Sequence, residues 1–189
     1  MISSALQFTS DALDQFLRNR FGLDESKVQL NTLIESNGSV PEANQNKIVI
    51  SIINVDQETN KAYFGRNKRL PGGAYSDTSP AERFNLDVLV SATFDVYAEA
   101  LRFLGAAIFF FQVNNCMDGT SFSNFPPGIA KIEFDVEKVN YVQMQGLWTS
   151  MGAKYVPSTI YKMRLLSFQG NEPKAFVPAI SKISNEVTV

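Results

Sequence analysis

A helix and three strand-like runs precede a long apolar helix, and further strand and helix patterns follow without settling into a repeating strand–helix unit. That order predicts an α+β fold. The expected architecture is a single domain with a mixed or mostly antiparallel sheet of about five strands. Two longer helices and one short helix pack on it. Three observations carry the prediction. Phe84 to Phe94 alternates apolar and polar residues with period two, residues 96–113 are apolar nearly all round, and 189 residues suffice for one ordinary core.

The elements follow in order. Ile2, Ala5, Leu6, Leu13, Phe16 and Leu17 recur near helical spacing, with Gly22 as a stop, so a helix is expected from about Ser4 to Arg20. Val28, Leu30, Thr32 and Ile34 alternate with polar residues, which predicts a half-buried strand. Asn37-Gly38-Ser39 is a turn signal. Lys47 to Val55 is nearly all β-branched and reads as a central strand covered on both faces. The stretch from Asp56 to Arg83 reads as a long loop, the kind that carries function or stays irregular.

Phe84, Leu86, Val88, Val90, Ala92 and Phe94 share one strand face, and Asp95 stands where a helix cap is needed. The helix over 96–113 is too apolar for a surface helix with one wet side, so it is either sandwiched or meant for a partner. After a loop over Asn114–Gly128, Ile132, Phe134 and Val136 alternate with charged residues in a strand with one wet face. Asn140 is placed to cap a short helix carrying Met144, Leu147, Trp148 and Met151, which Gly152 ends. Pro157 precedes a last strand, Ser158 to Phe168. The domain thus spans 1–169, and 170–189, with Pro173 and Pro178, reads as an extended tail.

Composition narrows the function. Hydrophobic residues make up 44% and charged ones 19%, as in soluble globular chains. A net charge of -2 argues against a nucleic-acid binder, which shows a basic excess. The chain has no histidine. The commonest general base, the Ser-His and Cys-His pairs and imidazole zinc ligands are therefore excluded. Cys116 is the single cysteine, which leaves no intrachain disulfide and no multi-thiolate site and fits synthesis in a reducing compartment. The N-terminal residues lack the basic and apolar regions of a signal peptide. The longest apolar run, Phe103 to Phe111, falls far short of the roughly 20 residues that cross a bilayer. A cytoplasmic product without cofactors and without catalytic or metal sites is the expectation.

Candidate chemistry is sparse. Asp56, Glu58, Asp87, Asp95 and Glu99 offer carboxylates for acid–base work, but wet strand positions and helix starts account for them better. The loop Gly65 to Gly73 is basic and glycine-rich yet lacks the Gly-Lys-Ser/Thr ending of a phosphate loop. A solvated loop accounts for it better than a phosphate site, and contact of Arg66, Lys68 and Arg69 with an acidic neighbouring subunit outweighs nucleotide or DNA binding. Cys116 has no histidine to activate it and reads as an ordinary buried or loop thiol. Trp148, Tyr155 and Tyr161 cluster around one turn, where aromatics serve either core or interface.

The stretch Leu147-Trp148-Thr149-Ser150-Met151-Gly152-Ala153-Lys154-Tyr155-Val156-Pro157-Ser158, continued by Ile160-Tyr161-Lys162-Met163-Arg164, adds a resemblance. It is similar to the N-terminal domain of the cap proteins of extracellular contractile injection systems of the virulence-cassette and antifeeding-prophage type. In those a Leu-Trp, a Gly, a Lys-Tyr and a Pro-Ser precede a Tyr-Lys-x-Arg strand. Ile48 to Val55 with Asp56-Gln57-Glu58, Asn85 to Val90 with Tyr97 to Leu101, and Phe110-Phe111-Gln112 resemble further parts of that core. The likeness covers roughly residues 2 to 168. The usual proline before the third strand is represented by Pro80, with Ala81 to Arg83 intervening. Larger members carry a second, C-terminal domain, which this chain is expected to lack.

The resemblance implies a phage tail-terminator-like fold and a non-enzymatic cap. Six copies would form a ring on the last layers of tube and sheath, end their polymerisation and anchor the sheath. Partners would then be other copies in a hexameric ring, sheath and inner-tube proteins and a second cap layer, within an assembled phage-tail-like particle. Candidate interface residues are Arg66, Lys68, Arg69, Phe103, Phe110, Trp148, Tyr155, Val187 and Val189. The helix over 96–113 would supply buried contact, and the tail would add a strand to a neighbour's sheet edge. Alternatives are another tail-completion or adaptor subunit, a carboxylate enzyme or ligand binder using the 56–83 loop, and a terminator whose Arg66, Lys68 and Arg69 meet DNA.

Overall fold

A computed structural model of the chain describes residues 1–57, 67–69, 75–77, 83–167 and 175–177. Helix α1 (Ile2–Phe21) ends at Gly22, which adopts the left-handed conformation that only glycine takes up without a Cβ penalty. The helix lays Ala5, Leu6, Phe8, Leu13 and Leu17 on the sheet. Its Asp14 carboxylate accepts hydrogen bonds from the Lys27 and Val28 amides at 2.7 and 3.2 Å, which ties down the start of β1 (Val28–Leu30).

β1 is shorter than its alternation predicts. The Asn31 side chain accepts from the Thr32 amide at 2.9 Å and donates to Asn44 Oδ1 at 3.0 Å, turning the chain off the sheet. Leu33 consequently packs beside Trp148 on the opposite sheet face. A 3₁₀ turn (Glu42–Asn44) then leads into β2 (Lys47–Gln57).

The main sheet has six strands in the order β1-β2-β5-β8-β7-β6. Its further members are β5 (Arg83–Thr93), β6 (Cys116–Asp118), β7 (Ile129–Val136) and β8 (Ser158–Ser167). Only β1–β2 is parallel; the other four pairings are antiparallel. The mixed, mostly antiparallel α+β sheet is as expected, with one more strand than the five anticipated. β6 is the addition, three residues within a segment that reads as loop. Asp118 closes it into a turn by accepting from Thr120 and Ser121, and those bonds hold its carboxyl down to about 2. A separate small sheet joins β3 (Asn67–Arg69), β4 (Tyr75–Asp77) and β9 (Ala175–Val177). The other residues of the 56–83 loop and of the 170–189 tail lie outside the described residues, apart from the ends of β2 and β5.

The core has two unequal halves. α1 and α2 (Tyr97–Val113) lie on one face, over Ile48, Ile50, Leu86, Val88, Val90, Ile132, Met163 and Leu165. The width of the apolar surface on α2 follows from this position. Phe103 stacks on Phe94 and touches Phe21, Phe110 meets Phe16 of α1, and Phe111 meets Phe134 and Tyr161 of the sheet. The other face carries a smaller cluster of Leu33, Val49, Leu89 and Ile160 under Trp148 of α3 (Tyr141–Met151). Asn140 caps α3 with a reciprocal capping box: Asn140 Oδ1 accepts from the Gln143 amide at 2.9 Å, and Gln143 Oε1 accepts from the Asn140 amide at 3.1 Å. Gly152 ends the helix in the left-handed region.

Two expectations need correction. β2 is covered on both faces only in its first half: Ile48, Val49 and Ile50 are fully buried, but Ile52 and Val55 are 37% and 47% exposed. Both stand opposite Val88 and Leu86, on the side of α1. Asp95 does not cap α2, whose N-cap is Val96 without a side-chain bond. Its carboxylate instead accepts from Asn46 Nδ2 at 3.1 Å while its amide donates to Asn46 Oδ1, fastening the α2 start to the β2 entry.

Candidate functional site

The surfaces with the strongest claim to function are apolar ones that the described residues leave uncovered. On α2, Tyr97, Leu101, Gly105, Phe109 and Val113 follow one another at every fourth position. The four side chains are 67%, 48%, 45% and 62% exposed, and a Cβ built on Gly105 would meet nothing within 4 Å. Fourfold spacing on a helix makes an inclined ridge, the element that packs into a neighbour's grooves, and the glycine puts a notch in its middle. Phe16 and Arg20 of α1 border the ridge: Phe109 stacks on Phe16 at 6.2 Å, and the Arg20 guanidinium lies 5.2 Å from the Phe109 centroid.

This geometry corrects the choice of residues on α2. Phe103 and Phe110 are 6% and 3% exposed and are spent in the chain's own core. The outward residues are those of the ridge, Tyr97, Leu101, Phe109 and Val113. Leu and Phe look alike on both sides of a helix apolar all round, and only the position of α1 decides which side stays open.

α3 is the second such surface. It contains no charged residue, yet Tyr141 is 95% and Val142 78% exposed. Trp148 is buried, donating Nε1–H to Met144 Sδ at 3.1 Å and meeting the Tyr155 ring edge-on at 5.4 Å. Tyr155 is 65% exposed and walls a groove of about 500 Å³ with Tyr141, Met144 and Thr149. The expected cluster therefore divides. Trp148 and Tyr155 touch, whereas Tyr161 points through the opposite sheet face to Phe111 at 4.5 Å, because neighbouring residues of a strand alternate faces.

Below α3 the sheet face is polar and charged. Asp87, Lys162 and Asp135 stand opposite one another on β5, β8 and β7, and Asn85, Arg164 and Glu133 form the next row. Lys162 lies 3.9 Å from Asp87 and 3.5 Å from Glu137, and Arg164 pairs with Asp135 at 2.8 Å. Alternating signs on facing strands match the wet face predicted for β7. Asp56 is exposed and accepts from Asn54 Nδ2 at 2.9 Å, and Glu99 is exposed in the first turn of α2.

Cys116 is an exposed free thiol beside Glu133 on β7. No group of three or more His, Cys, Asp or Glu able to hold a metal occurs among the described residues, and no described helix is long and apolar enough to cross a membrane. Arg66, Glu58, Val187 and Val189 lie outside the described residues. Lys68 and Arg69 are placed by backbone only, opposite Ser76 and Tyr75 in the small sheet.

Solved structures share this fold. The chain superposes with the sheath/tube terminator of the PVC extracellular contractile injection system in its extended state, at a TM-score of 0.60 and 13% identity over 95% of this chain. It matches the cap of the anti-feeding prophage at a TM-score of 0.54 and 13% identity over 94% of the chain. The chain spans about three fifths of each of those proteins, 61% and 59% of their lengths. Among curated protein sequences none matches it. The sequence model of the Pvc16 N-terminal domain matches residues 9–182, nearly the whole chain, and the protein accordingly belongs to the Pvc16 N-terminal domain family.

Proposed function

We propose that this chain is a non-enzymatic structural subunit that caps a bacterial contractile injection particle, ending the growth of tube and sheath and anchoring the sheath. Membership in the Pvc16 N-terminal domain family, with a fold shared with a sheath/tube terminator and a tube-terminating cap, supports this reading. The observation that carries it to particular residues is the exposed ridge Tyr97–Leu101–Phe109–Val113 on α2.

A growing tube end presents the same surface in every subunit. Its cap is then a ring of matching symmetry, hexameric on this reading, held by contacts between two different patches of neighbouring copies. The ridge on α2 is one such patch, and the uncharged α3 with Tyr155 and Tyr141 is suited to be its counterpart or a sheath contact. The tail beyond β9, which itself pairs with β4 of the same chain, adds a strand to a neighbour, and Arg66, Lys68 and Arg69 meet an acidic neighbouring subunit. Such a subunit is made in the cytoplasm and ends in the assembled particle, with sheath, inner tube and a second cap layer as partners.

The test is solution mass and electron microscopy of the purified chain, alone and with sheathed particles lacking a cap. Rings, or density at the end opposite the baseplate, are expected. Leu101→Asp should abolish both without lowering the melting temperature. Truncation at about Asn171 should weaken the ring. A chain that neither assembles nor binds particles defeats the assignment.

A further inference from the structure

β2 is longer than the strand covering its outer side. β1 pairs with it only from Ile48 to Ile50, while on the inner side β5 stays paired as far as Gln57. Among the described residues no strand pairs with the outer side of β2 beyond that point. The Ile48 amide donates outward to Lys27 and the Ile50 carbonyl accepts from Asn31 at 3.1 Å. The same alternation turns the Ile52 backbone outward. The bulge at Ile53 then shifts the phase by one residue, so Val55 and Gln57 face outward next.

The side chains along this edge separate by face. Ile52 and Val55 stand opposite Val88 and Leu86, on the side of α1. Asn54 and Asp56 stand opposite Asp87 and Asn85, on the charged side, and Asn54 donates to both Asp56 and Asp87. Where β1 departs, a groove of about 810 Å³ wraps the edge, with Ile2 and Leu6 on one side and Leu33, Ile34 and Met151 on the other. Natural edges are blunted by lysine or other charges, by proline or by bulges; Ile52 to Gln57 contains neither lysine nor proline and carries the bulge at Ile53 and the charge of Asp56.

We propose that the outer edge of β2 from Ile52 to Gln57 receives an extended segment of a partner polypeptide as an added strand, in which apolar residues alternate with lysine or arginine. The apolar side chains lie beside Ile52 and Val55 with the leading one in the groove, and the cationic ones lie opposite Asp56. The edge backbone supplies affinity and Asp56 the preference for positive charge.

The test is fluorescence anisotropy of the full chain with short peptides: one alternating valine and lysine, one alternating valine and glutamate, and one of the first composition in blocks. The valine–lysine peptide should saturate, about tenfold tighter than its glutamate counterpart, from attraction against repulsion at the facing pair. Val55→Pro should remove binding without changing circular dichroism or melting, since that amide faces away from β5. Val55→Lys should do the same through edge charge, and Asp56→Lys should invert the peptide preference. The proposal is overturned if no peptide saturates, if the block peptide binds equally, if both Val55 variants bind as the parent does, or if Asp56→Lys leaves the preference unchanged.

Discussion

Phe109 and Phe110 are adjacent in sequence, and the same substitution at each should report on opposite properties. Phe110 is 3% exposed and packed against Phe16 and Phe111. Replacing it by alanine leaves a cavity between α1 and α2 and should cost about 4 kcal/mol, within the usual range for a buried phenylalanine. For a chain of this size that lowers the melting temperature by about 8–16 °C. Phe109 is 45% exposed and lies on the ridge with Phe16 and Arg20 beside it. About half of its transfer energy is realised in the single chain, so Phe109→Ala should cost roughly 1 kcal/mol. The matching fall is about 2–4 °C.

Assembly should rank the two the other way round. Phe109→Ala removes ring formation or particle binding at concentrations where Phe110→Ala, kept well below its melting point, still assembles. Thermal melts by circular dichroism and sedimentation at matched concentrations read both effects. Equal melting losses would refute the argument that the position of α1 separates core from ridge. A stable Phe109→Ala that assembles like the parent would refute the ridge as an interface.

Asn140→Ala removes the capping box of α3 and should cost about 1 kcal/mol, seen as faster amide exchange across Tyr141–Met151 and a changed Trp148 emission. Gly152→Ala should cost about 1 kcal/mol in a denaturant melt, because that residue sits at φ 65° with open space around it and the loss is purely one of backbone conformation. Burial pushes the Tyr161 hydroxyl up to about 12 from 10.0. The unfolded chain ionises first, so this group's share of stability is complete below about pH 10 and is lost as pH rises toward 12. Phenolate absorbance should show one of the six tyrosines ionising only toward pH 12, and Tyr161→Phe should flatten the alkaline fall.

The sequence by itself determined what depends on neighbours along the chain. The period-two run over β5 specified a strand and the apolar face it lays on the larger core, because a side-chain period of two needs no tertiary information to be read. Asn140 and Gly152 marked both ends of α3, since cap chemistry is satisfied within a few residues. The Leu147–Arg164 pattern carried the family resemblance that the match over residues 9–182 bears out.

Other decisions were made across the fold. Whether Phe103 or Phe109 faced outward on an all-apolar α2 depended on where α1 lay. β1 ended at Leu30 despite continued alternation, because Asn31 found Asn44 thirteen residues away. Asp95 was drawn from capping by Asn46, which comes within 3.1 Å only once β2 and β5 are paired. The open edge of β2 was equally invisible, because a strand's sequence specifies its two faces, whereas its edges are filled or left free by whichever strands lie beside it.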